Sequence, residues 1–279
     1  MKQLTIKLEL VKLKAVVLSR SLTLYNLDDL HLWRLAIKAL YMKLPCLLIF
    51  LLTQLLAQAQ VVEADRLKRL LKKADSDTSR VVLKARLAHA FLFFNSDSAM
   101  TLCEQVIAEA QKIHFPKGEV MGLNELGNAL RLRGDLPKSL QLSLRALEIS
   151  KANEDREGQA TSMVYMGSIF LQLKEHKQAL QYLHHAKRIT SRINIQILAV
   201  CQIGDMYQNM DMLDSAMLFQ QKAYAQLKNI PRGTLKSLVP TRLGLVYDKL
   251  GNHDEALSYY QSALKNADIL GDRLNQGRI

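Results

Sequence analysis

The sequence predicts an all-α protein built as a stack of about five helical hairpins, and three observations carry that reading. One spacing of apolar, small and turn residues returns four times after residue 120 and once, imperfectly, before it. Leu, Ala, Lys and Gln, all good helix formers, dominate beyond residue 60, while only 12 Gly and 5 Pro interrupt the 279 residues. Each copy also carries one small residue in each of its two helical stretches, as closely paired helices require. At 49% hydrophobic residues the chain is able to bury a core.

Residues 1–41 have apolar side chains, but Val11 to Leu40 shows no clean helical or strand period and so argues for no folded domain, although it holds Trp33. They are expected to be translated upstream sequence, with Met42 as the true start. Residues 42–59 read as a secretory signal peptide: a positive start at Lys43, an apolar run of 13 residues from Leu44 to Leu56, and the small-x-small ending Ala57-Gln58-Ala59. Cleavage falls before Gln60, and the expected destination is the periplasm or cell envelope. A membrane-crossing helix needs roughly 20 apolar residues, so a permanent span is the weaker reading. A buried hydrophobic helix is the competing one. Cys46 lies at the start of the run, which argues against a lipoprotein signal. Residues 60–80 form an N-terminal helix or linker.

The net charge of +12 includes eight Lys/Arg and three Asp/Glu in the first 59 residues, leaving 30 and 23, a net +7, for the remainder. No Lys/Arg cluster with interleaved aromatics accompanies it, so direct nucleic-acid binding is not expected. A membrane enters only through the signal peptide or a lost C-terminal span. Cys103 and Cys201 fall in different repeats inside helical patterns, and are expected to be buried free thiols rather than a bridge within the ~7 Å Cα limit.

The repeats occupy 81–270, divided near 81–117, 118–157, 158–194, 195–232 and 233–270. The second holds Leu126-Gly127-Asn128-Ala129-Leu130, Gly134-Asp135-Leu136-Pro137-Lys138-Ser139-Leu140 and Ala146. The fifth holds Leu243-Gly244-Leu245-Val246-Tyr247, Gly251-Asn252-His253-Asp254-Glu255-Ala256-Leu257, Tyr260 and Ala263 at the same spacing. Met166-Gly167, Phe170, Ala179-Leu180, Leu183 and Ala186 make the third, and Ile203-Gly204, Tyr207, Ala216-Met217 and Ala223 the fourth. The degenerate first runs through Leu87-Ala88, Phe91, Ala99-Met100, Cys103 and Val106. Gly127, Gly167, Gly204 and Gly244 let the second helix of each unit approach, and Ala146, Ala186, Ala223 and Ala263 return the favour. Gly134-Asp135 and Gly251-Asn252 supply tight reversals, and Pro137 stands where a missing N–H costs nothing. One hairpin cannot bury its apolar face alone, so copies stack.

This pattern resembles the tetratricopeptide repeat over about Val81 to Leu270. The resemblance implies a right-handed α-solenoid that holds a peptide or protein partner on its concave face and is not an enzyme. The glycines lie 40, 37 and 40 residues apart, longer than the ~34 of the standard unit. Leu123, Met163, Val200 and Pro240 stand where the family has an early Trp. Long units joined by Lys117-Gly118, Arg156-Glu157-Gly158 and Arg232-Gly233 resemble those of exported bacterial members and of the sensory regions of bacterial regulators. Residues 271–279 look like the linker before another repeat. The alternative is therefore a truncated sensory region of a transmembrane regulator with a kinase or transcriptional output.

No string proposes catalysis: there is no Gly-rich phosphate loop, Gly-x-Ser-x-Gly or His-Glu-x-x-His. His184 and His185 are adjacent and point about 100° apart on a helix, so no metal or other cofactor is proposed. Placing each unit by its small residue turns Asn124, Asn128 and Arg131, Ser168 and Gln172, Asp205, Gln208 and Asn209, and Arg242 and Asp248 toward the concave face. That face is amide-rich and mixed in charge, suited to an extended backbone or polar ligand more than to an acidic tail. Chaperone-binding members grip a C-terminal carboxylate with a Lys-and-Asn clamp. Only Asn128 matches it, so that role is not carried over.

Overall fold

The computed structural model describes residues 61, 63–92, 95–230 and 233–275, with side chains as far as 266. The expected leader (1–41), signal peptide (42–59) and Trp33 and Cys46 within them lie outside the described residues. By its contacts the chain divides between Leu48 and Ile49. Everything described belongs to the second part, which is all-α.

A helical segment at 63–72 is followed by ten helices: α1 (Asp77–Phe91), α2 (Ser96–Lys112), α3 (Pro116–Leu132), α4 (Leu136–Ala152), α5 (Arg156–Gln172), α6 (His176–Ile189), α7 (Ile193–Asn209), α8 (Leu213–Gln226), α9 (Leu235–Lys249) and α10 (His253–Asn275). They pair in order into five antiparallel hairpins. Ala64 and Leu67 of the leading segment bury themselves against Leu87 and Ala90 of α1, giving the first hairpin a partner on its open side.

The turns repeat with their backbone chemistry intact. In four hairpins the residue after the first helix's cap is left-handed: Gly134 at φ 87°, Lys174 at 60°, Asp211 at 59° and Gly251 at 80°. Each turn closes the same pair of bonds. Asp135 donates to the Leu130 carbonyl (2.9 Å) and Gly134 to that of Arg131 (3.1 Å). Asn252 and Gly251 donate likewise to Tyr247 and Asp248. These reverse bonds satisfy carbonyls that a helix end would otherwise orphan. The side chains of Asp135 and Asp155 then accept from Lys138 N and Gly158 N, capping α4 and α5.

In the third, fourth and fifth hairpins the glycine of the first helix lies hard against the second helix. A Cβ on Gly167 would stand 2.6 Å from Leu183 Cδ2, one on Gly204 2.6 Å from Gln220 Nε2, and one on Gly244 2.7 Å from Tyr260 Cε1. Three residues further along the first helix an aromatic stacks on one twelve residues later. Phe170 lies on Tyr182 and Tyr207 on Phe219, both with centroids at 5.4 Å, and Tyr247 on Tyr259 at 5.3 Å. Such pairs contribute about 0.5–1.5 kcal/mol beyond their buried area. The core is continuous between hairpins: Leu147 of α4, Met163 and Met166 of α5, Leu183 of α6 and Ile203 of α7 share one cluster, as stacked repeats require. Cys103 and Cys201 are buried free thiols.

Two expectations need correction. Gly118 and Gly158, read as linker residues, are buried in the first turns of α3 and α5. There a Cβ would meet Val81 Cγ1 and Ser150 Oγ respectively at 2.6 Å, so their smallness serves packing between hairpins. The last helix also runs on to Asn275, through the string read as a linker after Leu270. A single helix-interior glycine such as Gly271 costs only about 1 kcal/mol and need not end a helix. Among the described residues no helix is long and apolar enough to cross a membrane.

Candidate functional site

Successive first helices pack on one another, α1 on α3, α3 on α5, α5 on α7 and α7 on α9, while no comparable contact joins successive second helices. The first helices therefore form the inner side of the stack. Side chains one and two positions away from the paired small residues come together there across repeats.

Asn124 is 2% exposed and donates through Nδ2 to Ser162 Oγ of α5 at 3.0 Å. It packs the α3–α5 contact and is not part of the open face, contrary to the sequence expectation. Spacing of four puts it on one face with Asn128, but Ser162 of the next first helix takes up its amide. Asn128, 7% exposed, accepts from Arg131 Nε (3.3 Å) and Nη2 (2.9 Å) and so holds the guanidinium in place. Arg131 is half-buried. Burial lowers its pKa, Tyr165 opposes that, and the like charge of Arg242 adds to it.

Ser168 is half-buried and donates to the Val164 carbonyl of its own helix (3.2 Å). Gln172 and Asn209 are exposed at the ends of α5 and α7, and the carbonyl of half-buried Gln208 accepts from Lys249 Nζ at 3.3 Å. Asp205 accepts from Nε2 of the fully buried Gln220 (3.0 Å) and pairs with Arg242 Nε at 3.6 Å. Burial pushes its carboxyl pKa up, against Arg242 and Gln220. Gln220 also donates to the Cys201 carbonyl (3.0 Å), tying α8 to α7 beneath the face. Asp248, near the end of α9, accepts from Nδ1 of His253, the first residue of α10, at 2.8 Å.

Sequence reasoning missed a three-helix link. Glu125 of α3 bonds His89 Nδ1 of α1 through Oε2 and accepts the Tyr165 hydroxyl of α5 through Oε1, both at 2.9 Å. Glu125 raises the pKa of His89 against the effect of burial. The Tyr165 hydroxyl is pushed well up by burial first and by Glu125 second. A signal was present: Glu125, Tyr165, Gln202 and Arg242 all sit two residues before the paired glycine. His184 and His185 are exposed on the outer helix α6. No group of three His, Cys, Asp or Glu able to hold a metal occurs among the described residues. The face as built can hydrogen-bond and ion-pair.

Residues 118–192 match a family model described as tetratricopeptide repeat, and residues 241–268 match a second with the same description. Tetratricopeptide repeat protein 29 of Trypanosoma brucei brucei is 25% identical over 146 residues, which are 48% of this chain and 29% of that protein. The chain thus spans less than a third of the length of that relative. Two solved structures share the fold. BtubC (BKLC) from P. vanneervenii has 20% identity, a TM-score of 0.51, and coverage of 80% of this chain and 92% of its own. A Rap protein complexed with competence and sporulation factor has 13% identity, a TM-score of 0.57, and coverage of 77% and 72%.

Proposed function

We propose that this tetratricopeptide-repeat protein is a non-catalytic scaffold that holds a peptide or protein segment against the inner face of its first helices. The observation that carries the reading is the convergence on that face of hydrogen-bonding and charged groups from successive first helices: His89, Glu125, Asn128 and Arg131, Tyr165, Asp205 and Arg242. Side chains that bond across repeats hold the face in one shape before a ligand arrives, which lowers the ordering cost of binding. A stack of the same fold carries a bound factor in the Rap complex. Nucleic acid is not among the proposed partners. We also propose that residues 42–59 direct export, which would put this work in the periplasm or cell envelope.

Affinity capture from cell-envelope extract with the full chain tests the proposal. Ser168→Arg puts a long charged side chain on the inner face, and His185→Arg puts one on the outer helix α6. The inner variant is expected to lose captured partner by tenfold or more while melting near the parent, and the outer variant to retain it. Equal capture by both variants contradicts the proposal.

A further inference from the structure

Charges on the inner face do not cancel evenly. Its carboxylates are all engaged from within the protein: Glu125 by His89 and Tyr165, Asp205 by Gln220 and Arg242, and Asp248 by His253. The mixed charge seen in the sequence is therefore largely used up by internal pairing, and what remains is cationic.

Arg131 is the half-buried part of that remainder, while exposed Lys249 at the end of α9 bonds the Gln208 carbonyl. Arg66 and Arg242, also half-buried, are each held by a carboxylate, Glu63 and Asp205 respectively. Arg131 is held by a neutral amide, the Oδ1 of Asn128, along the edge formed by Nε and Nη2. No carboxylate among the described residues pairs with it. A guanidinium that has given up part of its hydration needs an anion to recover that loss. An amide orients the fork and leaves the charge uncompensated. The other edge of the guanidinium keeps donors in the fixed geometry that matches a carboxylate bidentately. The charge of Arg242 adds to the positive potential at this point. The net charge of the chain draws an acidic segment in the same sense.

We infer that the segment held in the groove is an acidic peptide, with a Glu or Asp side-chain carboxylate seated on the free edge of Arg131 and Asn128 positioning that guanidinium. This rests on the groove reading above and names the chemistry of its occupant.

The test is fluorescence anisotropy of the full chain at low ionic strength with labelled hexapeptides carrying an amidated C-terminus: hexaglutamate and hexaglutamine. Hexaglutamate is expected to bind at least tenfold more tightly than hexaglutamine. Arg131→Gln, which keeps a donor for Asn128, is expected to erase that difference while circular dichroism and melting stay near the parent. Arg131→Lys keeps the charge without the fork and should fall between. Arg156→Gln, at an exposed position at the start of α5, should change binding less than twofold.

Equal weakening by Arg131→Gln and Arg156→Gln would overturn the inference, since only the net charge would then be acting. So would tenfold tighter binding of hexaglutamate with a free C-terminus, which would assign the site to a terminal carboxylate, or of a phosphoserine hexapeptide, which would assign it to a phosphoryl group. Capture that depends on Ser168 but not on Arg131 leaves the groove reading standing and removes this one.

Discussion

A methyl group added at Gly244 tests the hairpin packing at one of its tight points, where the neighbours are a ring and a backbone carbonyl. The new Cβ would lie 2.7 and 2.9 Å from Cε1 and Cδ1 of Tyr260 and 3.2 Å from the Ala256 carbonyl oxygen. Tyr260 is fully buried, and a carbonyl inside α10 cannot retreat without moving the helix. Overpacking of this kind costs about 1–3 kcal/mol, while Gly to Ala in a helix interior returns up to ~1 kcal/mol. The expected net loss for Gly244→Ala is about 1–2 kcal/mol. In a chain of this size that lowers the thermal midpoint by roughly 2–8 °C. At Gly127 the same atom would meet Ser139 O and Ser143 Oγ at 3.3 Å, a few tenths of an ångström too near. There the helix gain offsets the contact, and Gly127→Ala should stay within about 0.5 kcal/mol of the parent or exceed it. Gly244→Leu, with three more carbons for the same gap, should lose more than Gly244→Ala. Thermal and urea melts followed by circular dichroism give the ranking. A Gly244→Ala chain as stable as the parent, or equal losses at both sites, would refute the packing argument.

Lys174 and Asp211 hold the left-handed turn position that Gly134 and Gly251 fill in other hairpins. Lys174→Gly and Asp211→Gly should each therefore stabilise by about 0.5–1 kcal/mol in urea melts, and Gly251→Lys should cost a similar amount. His89 should titrate above the ordinary value of 6.5 because of Glu125. Its contribution to stability is then full below about pH 6.5 and lost as pH rises through the raised value. Proton NMR of its ring reads the midpoint, and Glu125→Gln, which removes the charge and leaves the burial, should bring it below 6.5. Mass spectrometry of the mature protein should find Gln60 as the first residue, and peptides from 1–41 would contradict both the start and the cleavage expected there.

The fold was legible because its constraints are local in spacing. A glycine three residues before a large residue, a turn, then alanine at fixed offsets can be read from one strand of text. What stayed hidden depends on contacts between units. Tyr182, Phe219 and Tyr259 stack on Phe170, Tyr207 and Tyr247, but their register differs from that of any glycine or turn, and Leu142 replaces the aromatic in the second unit. Lys174 and Asp211 occupy a left-handed position without the glycine that announces it. On the inner face, Asn128 and Arg131 were placed by helical spacing and do form a pair. Asn124 shares their face but is buried by α5, since spacing gives the direction of a side chain and not what covers it. The Glu125 link to His89 and Tyr165 joins residues 36 and 40 positions apart, and only the stacked register brings them within reach.

The measurement closest to the central claim is site-specific photo-cross-linking in cells that express the full chain. A benzoyl-phenylalanine is placed at Gln172, exposed on the first helix α5, and in a separate variant at Lys187, exposed on the second helix α6. The scaffold reading predicts that a discrete partner is cross-linked from Gln172 and not from Lys187, and that unlabelled acidic hexapeptide in excess suppresses the product. A partner cross-linked from Lys187 with none from Gln172 would place recognition on the outer helices and contradict the account.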